Sequence, residues 1–328
     1  MNTRLSVASV VNMETLVSLA REFRTEFEVS SGLIHERLAG KPFIFNADGK
    51  DAYPFGGWGC PGDSKASPIA PEPAEATIAS TDSSCILLGE SAEGSAYAVR
   101  AAVCFSNGGA VRGYFRVGPT IVYLTREGAF GIPPLEPYEL RFALSDRQIA
   151  ERIIRNAVEK RILASLMRSP QLSIVMADGS LKHPFDPYPV GPADGGEGCL
   201  IGFSKSSSLV ASSRQTGAVS EARGPAYAVT QDGPIRTLIA KFSHDGLVFR
   251  LDVARAPLRV DRVLGVLLSN DGFCVGYPES LRMAHHLSVF SRSEDTALKA
   301  YLTKRYELRN LPSFGLRRIT LGSLSNSG

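Results

Sequence analysis

Three acidic side chains occupy positions from which a divalent cation could be held. Asp82 follows the stretch Ala76-Thr-Ile-Ala-Ser-Thr, Asp178 follows Leu172-Ser-Ile-Val-Met-Ala, and Glu159 lies in a helical stretch between them. Open α/β sheets place ligands beyond the strand tips, so two strand-end carboxylates and a third from a covering helix can meet at one point. Carboxylate oxygens are the ligands a hard cation takes. Mg²⁺ or Mn²⁺ so held polarises a phosphate, activates water and stabilises the departing oxygen, alone or as a pair ~3.5–4 Å apart. Each acid alone has a plainer reading. An Asp before Gly or Ser after a strand commonly accepts N–H bonds in a turn, and a Glu beside Lys160 commonly sits on a solvated helix face.

The segment Gly276-Tyr-Pro-Glu-Ser-Leu-Arg-Met-Ala-His285-His286 is more distinctive. Pro278 presets a first helical turn, which leaves Tyr277 just outside the helix and His285 two turns on, four residues after Leu281 and on the apolar side. A histidine there is otherwise a satisfied core residue; with a tyrosine beside it, it can hydrogen-bond a phosphate or an attacking water. Lys205 comes directly after the apolar run Cys199 to Phe203 and is a candidate phosphate contact. Arg100, inside Tyr97-Ala-Val-Arg-Ala-Ala, needs a partner for an inward charge, either an acid or a DNA backbone.

The elements that must position these groups can be read from periodicity. Leu16, Leu19, Phe23 and Phe27 recur at helical spacing from Met13 to Val29, and the Gly/Pro-rich stretch from Ala47 to Glu75 reads as a linker. Thr77 to Thr81, Ser95 to Phe105, Val111 to Val117 and Thr120 to Leu124 read as a strand meander. Ser145 with Gln148 suggests a capping box opening a long helix to Pro170. Leu172 to Ala177 and Cys199 to Phe203 read as buried strands, and Arg236 to Phe242 with Leu247 to Ala254 as a hairpin. A helix from Val260 to Leu268, a strand from Phe273 to Gly276 and a helix opened by Pro278 follow. The class expected is α/β, a mixed sheet covered by helices.

Composition narrows the choice. The formal net charge of +3 is too small for the global field to attract nucleic acid, but Leu281 to Gly328 carries eight Lys/Arg against three acids. Five scattered cysteines without a CxxC pair argue against a zinc site or a disulfide framework and fit a reducing cytoplasm. No apolar run is long enough to span a membrane, and Asn12 and Glu14 interrupt the N-terminal apolar stretch before it could serve as a signal. Walker A and Gly-x-Gly-x-x-Gly loops are absent, and Gly202-Phe-Ser-Lys-Ser206 lacks the closing glycine of a nucleophile elbow.

Taken in order, Asp82-Ser-Ser, Glu159, Met176-Ala-Asp-Gly-Ser-Leu181, Ile201-Gly-Phe-Ser-Lys205 and Gly276-Tyr-Pro…Leu281…Ala284-His285 resemble the NurA nuclease family over roughly residues 75 to 300. The resemblance implies an RNase H-like fold and a manganese-dependent nuclease that digests DNA ends 5′ to 3′ and cuts single strands. It also implies a homodimer working with a hexameric HerA-type ATPase. Carried over, Asp82, Glu159 and Asp178 would be the metal-binding and catalytic carboxylates, with His285 as a further ligand and Tyr277 completing the site. The first motif reads Thr-Asp-Ser-Ser where the family often has Asp-Gly-Ser, so Asp48 in Asn-Ala-Asp-Gly-Lys stays a rival for Asp82, and Glu151 a rival for Glu159. The organisation expected is an N-terminal helix and linker (1–75), a nuclease core (76–292) and a C-terminal helix with a basic tail (293–328). The alternative function is a non-catalytic DNA-binding adaptor of a ring ATPase, and a small-phosphate hydrolase would use the same metal logic.

Overall fold

The computed structural model describes residues 65–91, 93–132, 134–168, 172–182, 198–204, 214–255 and 259–305. The helix expected from Met13 to Val29, Asp48, Lys205 and the basic tail lie outside these residues.

Three long strands, β2 (Ile78–Glu90), β3 (Gly94–Asn107) and β4 (Ala110–Thr125), form the expected antiparallel meander; β1 (Ser67–Pro68) precedes them and β5 (Gly128–Phe130) turns back on β4. The two strands expected within β4 are one, continuous past Gly118 with a register shift against β3. Two helices follow, α1 (Pro137–Ser145) and α2 (Arg147–Leu166). Sequence reading missed α1, which opens with a capping box between Glu136 and Glu139. It also misplaced the next cap. Ser145 ends α1, and it is Asp146 that accepts the N–H groups of Gln148 and Ile149 at 2.8 and 3.0 Å to start α2.

The chain then enters β6 (Ile174–Asp178), parallel to β2, and β7 (Cys199–Ser204), parallel to β6. After α3 (Arg214–Glu221), the strands β8 (Ala226–Gln231), β9 (Ile235–Lys241) and β10 (Phe249–Ala254) extend the sheet beyond β7. The order is β1-β8-β9-β10-β7-β6-β2-β3-β4-β5. Its central part, an antiparallel meander whose first strand is continued by two parallel ones, is the RNase H-like arrangement that was expected. Helices α4 (Val260–Asn270), α5 (Glu279–Ser288) and α6 (Arg292–Arg305) complete the described chain. The strand expected over Phe273 to Gly276 is instead a tight hairpin of β11 (Phe273–Cys274) and β12 (Tyr277–Pro278). Both turn residues have positive φ, Val275 at 53° and Gly276 at 83°, which matches the twist a two-residue hairpin demands.

Strand alternation divides the core into two layers. Ile78, Ile174, Met176, Ile201, Phe203, Leu251 and Val253 face one side, where Val263, Leu264 and Leu267 of α4 and Leu281 of α5 cover them. Ala79, Val103, Val175, Ala177 and Leu200 face the other, under Leu163 and Leu166 of α2. Burying each large aliphatic side chain is worth about 1.5–3 kcal/mol, so both helical layers are held firmly to the strands that carry the acids. Among the described residues, no helix is long and apolar enough to cross a membrane.

Candidate metal centre

The pairing between β2 and β6 runs from Ile78 opposite Ile174 to Thr81 opposite Ala177 and stops there. Asp82 and Asp178 are the next residue on each strand. The two strands part at this point, which is the physical reason the carboxylates can face one another. Asp82 is not a strand tip, as its sequence context suggested, because β2 continues to Glu90 against β3. It marks the end of the parallel register instead.

Period-two alternation puts Asp82 on the face of Ile78 and Ser80, and Asp178 on the face of Ile174 and Met176, both toward α5. That helix brings His285, whose Nδ1 lies 2.7 Å from Asp82 Oδ2. One ligand atom from each of Asp82, Asp178 and His285 lies within 4.8 Å of the others. Asp82 is 3% exposed while the His285 side chain is 45% exposed, so the centre is closed at the strand and open beside the histidine. Tyr277 stands where the sequence placed it, ahead of α5, and its hydroxyl donates to Asp178 Oδ1 at 3.1 Å. Its ring packs edge-on against Phe203 with centroids 5.2 Å apart. Burial, and then the neighbouring Asp178 carboxylate, push the Tyr277 phenol far up, so it stays a donor.

The donor set fits a divalent cation. Two carboxylates that converge repel unless a positive charge lies between them. Two carboxylate oxygens with one imidazole nitrogen suit Mn²⁺ better than Mg²⁺, which takes oxygen almost throughout.

Glu159 arrives from the opposite face. Ser83 points to the α2 side, and its hydroxyl donates to Glu159 Oε1 at 2.5 Å. Arg155, one turn earlier on the same helix, lies with Nη2 3.7 Å from Glu159 Oε1 and 3.9 Å from Asp82 Oδ1. Glu159 is therefore buried beside Asp82, joined to it by Ser83 and Arg155, and stands outside the three-residue group. Its rival Glu151 pairs with Arg147 at 3.0 Å near the start of α2. Arg155 carries a signal legible in the sequence, its spacing of four from Glu159 on the same helix.

Arg100 has found the acid partner it required, but that partner is Glu294 of α6, at 2.7 Å, with the guanidinium 4.2 Å over the Phe290 ring. At 4% side-chain exposure it ties α6 to β3. Arg100 in turn draws the Glu294 carboxyl down to about 2.

Two buried acids went unnoticed in the sequence. Asp252 on β10 has no exposed surface; it accepts from Thr237 Oγ1 (2.8 Å), Ser180 Oγ (2.6 Å) and the Leu181 amide (3.1 Å), and pairs with Arg250 at 3.0 Å. It clamps the turn that follows Asp178. That turn crosses close over β7 at Gly202, where a Cβ would lie 2.7 Å from the Gly179 carbonyl oxygen and 2.8 Å from Leu181 Cγ. Glycine in this strand is what lets the turn approach. The second acid, Asp271 after α4, bonds the amide and hydroxyl of Ser280, and the Ser280 hydroxyl meets that of Ser80 on β2 at 2.5 Å. This chain fixes the start of α5, and so the helix bearing His285, to the strand bearing Asp82. The thiols of Cys85, Cys104 and Cys199 are pushed up to about 12, chiefly by burial, and offer no nucleophile.

The sequence matches no protein-family model and no curated protein. Among solved structures, the chain is similar to the NurA nuclease from Sulfolobus solfataricus, at 13% identity over 72% of this chain and 86% of that one, with a TM-score of 0.47. It is similar to NurA bound to dAMP and manganese at 10% identity, covering 94% and 98% of the two chains with a TM-score of 0.45. Endonuclease V from Bacillus subtilis matches at 13% identity, covering 73% and 87%, with a TM-score of 0.33.

Proposed function

We propose that this chain is a divalent-metal-dependent nuclease that hydrolyses phosphodiester bonds in DNA, with Asp82, Asp178 and His285 holding the cation. The observation that carries the reading is the convergence of these three side chains, from two strands and a C-terminal helix, within 4.8 Å. A bound Mn²⁺ would polarise the scissile phosphate and supply an activated water near neutral pH. The chain's own groups do the rest. Tyr277 orients Asp178 through its hydroxyl, and Glu159 with Ser83 and Arg155 braces Asp82 from the far side of the sheet. The half-exposed His285 marks the side from which a polymer backbone enters, and Lys205, directly after β7, is assigned to that backbone.

The finer reading rests on the motif resemblance: digestion of ends 5′ to 3′ with cleavage of single strands in end repair, a homodimer, a HerA-type ATPase partner and a cytoplasmic location. The same holds for treating 76–292 as the nuclease core between a 1–75 segment and a 293–328 extension.

The test is Asp178→Ala in purified protein with Mn²⁺ on linear and single-stranded DNA. Removing a ligand should cost well over the ~10–100-fold typical of groups that merely support ligands. Undiminished digestion overturns the assignment. Hydrolysis of nitrophenyl phosphate without DNA cleavage would mark a small-phosphate hydrolase, and ATPase binding without Mn²⁺ uptake would mark an adaptor.

A further inference from the structure

We propose that the Arg155 guanidinium stands where a second divalent cation would otherwise sit, so that the centre takes up a single ion through Asp82 Oδ2, Asp178 and His285. This rests on the metal-centre reading above and specifies its stoichiometry. A carboxylate that bridges two ions presents one oxygen to each, and hydrolytic ion pairs lie ~3.5–4 Å apart. The two oxygens of Asp82 are divided in another way. Oδ2 faces His285, a member with Asp178 of the three-residue group, at 2.7 Å. Oδ1 accepts the Ser83 amide at 2.8 Å and has Arg155 Nη2 at 3.9 Å.

The same Nη2 lies 3.7 Å from Glu159 Oε1, the oxygen that also takes the Ser83 hydroxyl. One nitrogen of a permanently charged group thus serves the two carboxylates that a second ion would need to share. A Mg²⁺ or Mn²⁺ ion draws its oxygen ligands to ~2.0–2.2 Å and cannot share them with a cationic nitrogen at the same point. Arg155 is also well placed to stay. Its Nε lies 3.4 Å from Ser83 Oγ, and α2 is pinned to the sheet through Leu163 and Leu166 on one side and Ile154 on the other. Arg155 is accordingly a positioning residue. It neutralises Asp82 and Glu159 before any ion binds and limits the centre to one.

Manganese titration of the full-length protein, followed by calorimetry and by the electron-spin resonance of unbound Mn²⁺, decides the matter. Wild type is expected to take up one ion per chain. Arg155→Gln, which removes the charge, should gain a second and weaker ion, while Arg155→Lys, which keeps it, should remain at one. Two ions in the wild type overturn the proposal, as does a folded Arg155→Gln that still holds only one. If Arg155→Gln does not fold, the wild-type and Arg155→Lys counts carry the test, and two ions in either overturns it. No uptake by wild type removes the metal centre itself and the nuclease reading with it, an outcome distinct from a count of two.

Discussion

Replacing Asp271 by Asn isolates one buried charge beneath the helix that carries His285. The carboxylate is 2% exposed and bonds the Ser280 amide at 3.3 Å and the Ser280 hydroxyl. Burial pushes it from 3.8 up to about 6, against the opposing pull of those hydrogen bonds. The folded protein therefore holds a proton that the unfolded chain has already released, and stability falls as pH rises from about 4 to about 6, then levels off. The gap between 3.8 and about 6 corresponds to about 3 kcal/mol. Asn keeps an acceptor for the Ser280 amide, turns its NH2 toward the Ser280 hydroxyl, which can accept it while donating to Ser80, and has no charge to bury, so the variant should lack this decline. Urea unfolding of both proteins at several values from about pH 4 to about pH 7.5 measures it, because the denaturation midpoint tracks stability when the slope is unchanged. The variant should gain about 3 kcal/mol on wild type across that window. Parallel profiles would refute the claim that burial raises the Asp271 carboxyl.

Two further substitutions probe how Asp178 is held. Gly202→Ala drives a methyl into the Gly179 carbonyl and the Leu181 side chain, so it should cost about 1–3 kcal/mol in denaturant unfolding and weaken Mn²⁺ binding by displacing Asp178. Wild-type stability together with wild-type Mn²⁺ affinity would show that the turn yields freely. Asp252→Ala strands Thr237, Ser180 and the Leu181 amide and leaves Arg250 without its carboxylate. A loss of roughly 3–5 kcal/mol in unfolding free energy is expected. A change within error of zero would mean the network contributes nothing.

Much of the site was legible because the relevant signals are local. Leu172 to Ala177 is apolar throughout, as a strand buried on both faces must be, and it ends in Asp178-Gly179, so strand and carboxylate were both visible. Pro278 and the spacing to His285 placed Tyr277 ahead of a helix and the histidine two turns into it. The strand-end reading of Asp82 was incomplete, since its strand does not end but merely loses one neighbour, and the loss of a neighbour is a property of β6 as much as of β2. Glu159 was read in the sequence as one of three metal-binding carboxylates, and in the structure it stands outside the group of Asp82, Asp178 and His285. Ser83 lies on the other face from Asp82, so the glutamate meets Ser83 and Arg155 while His285 comes to Asp82 from α5.

By itself the sequence determined which segments are strands and helices around the acids and which residues sit at their ends, because those follow from periods of 2 and 3.6 and from turn chemistry within a few residues. Only the tertiary structure decided which acids share a space, that Asp252 and Asp271 are buried supports, and that Arg155 rather than Arg100 belongs beside the carboxylates. Those outcomes depend on register between strands some hundred residues apart and on the face each helix covers, and a one-residue change in register sends a side chain to the opposite side of the sheet.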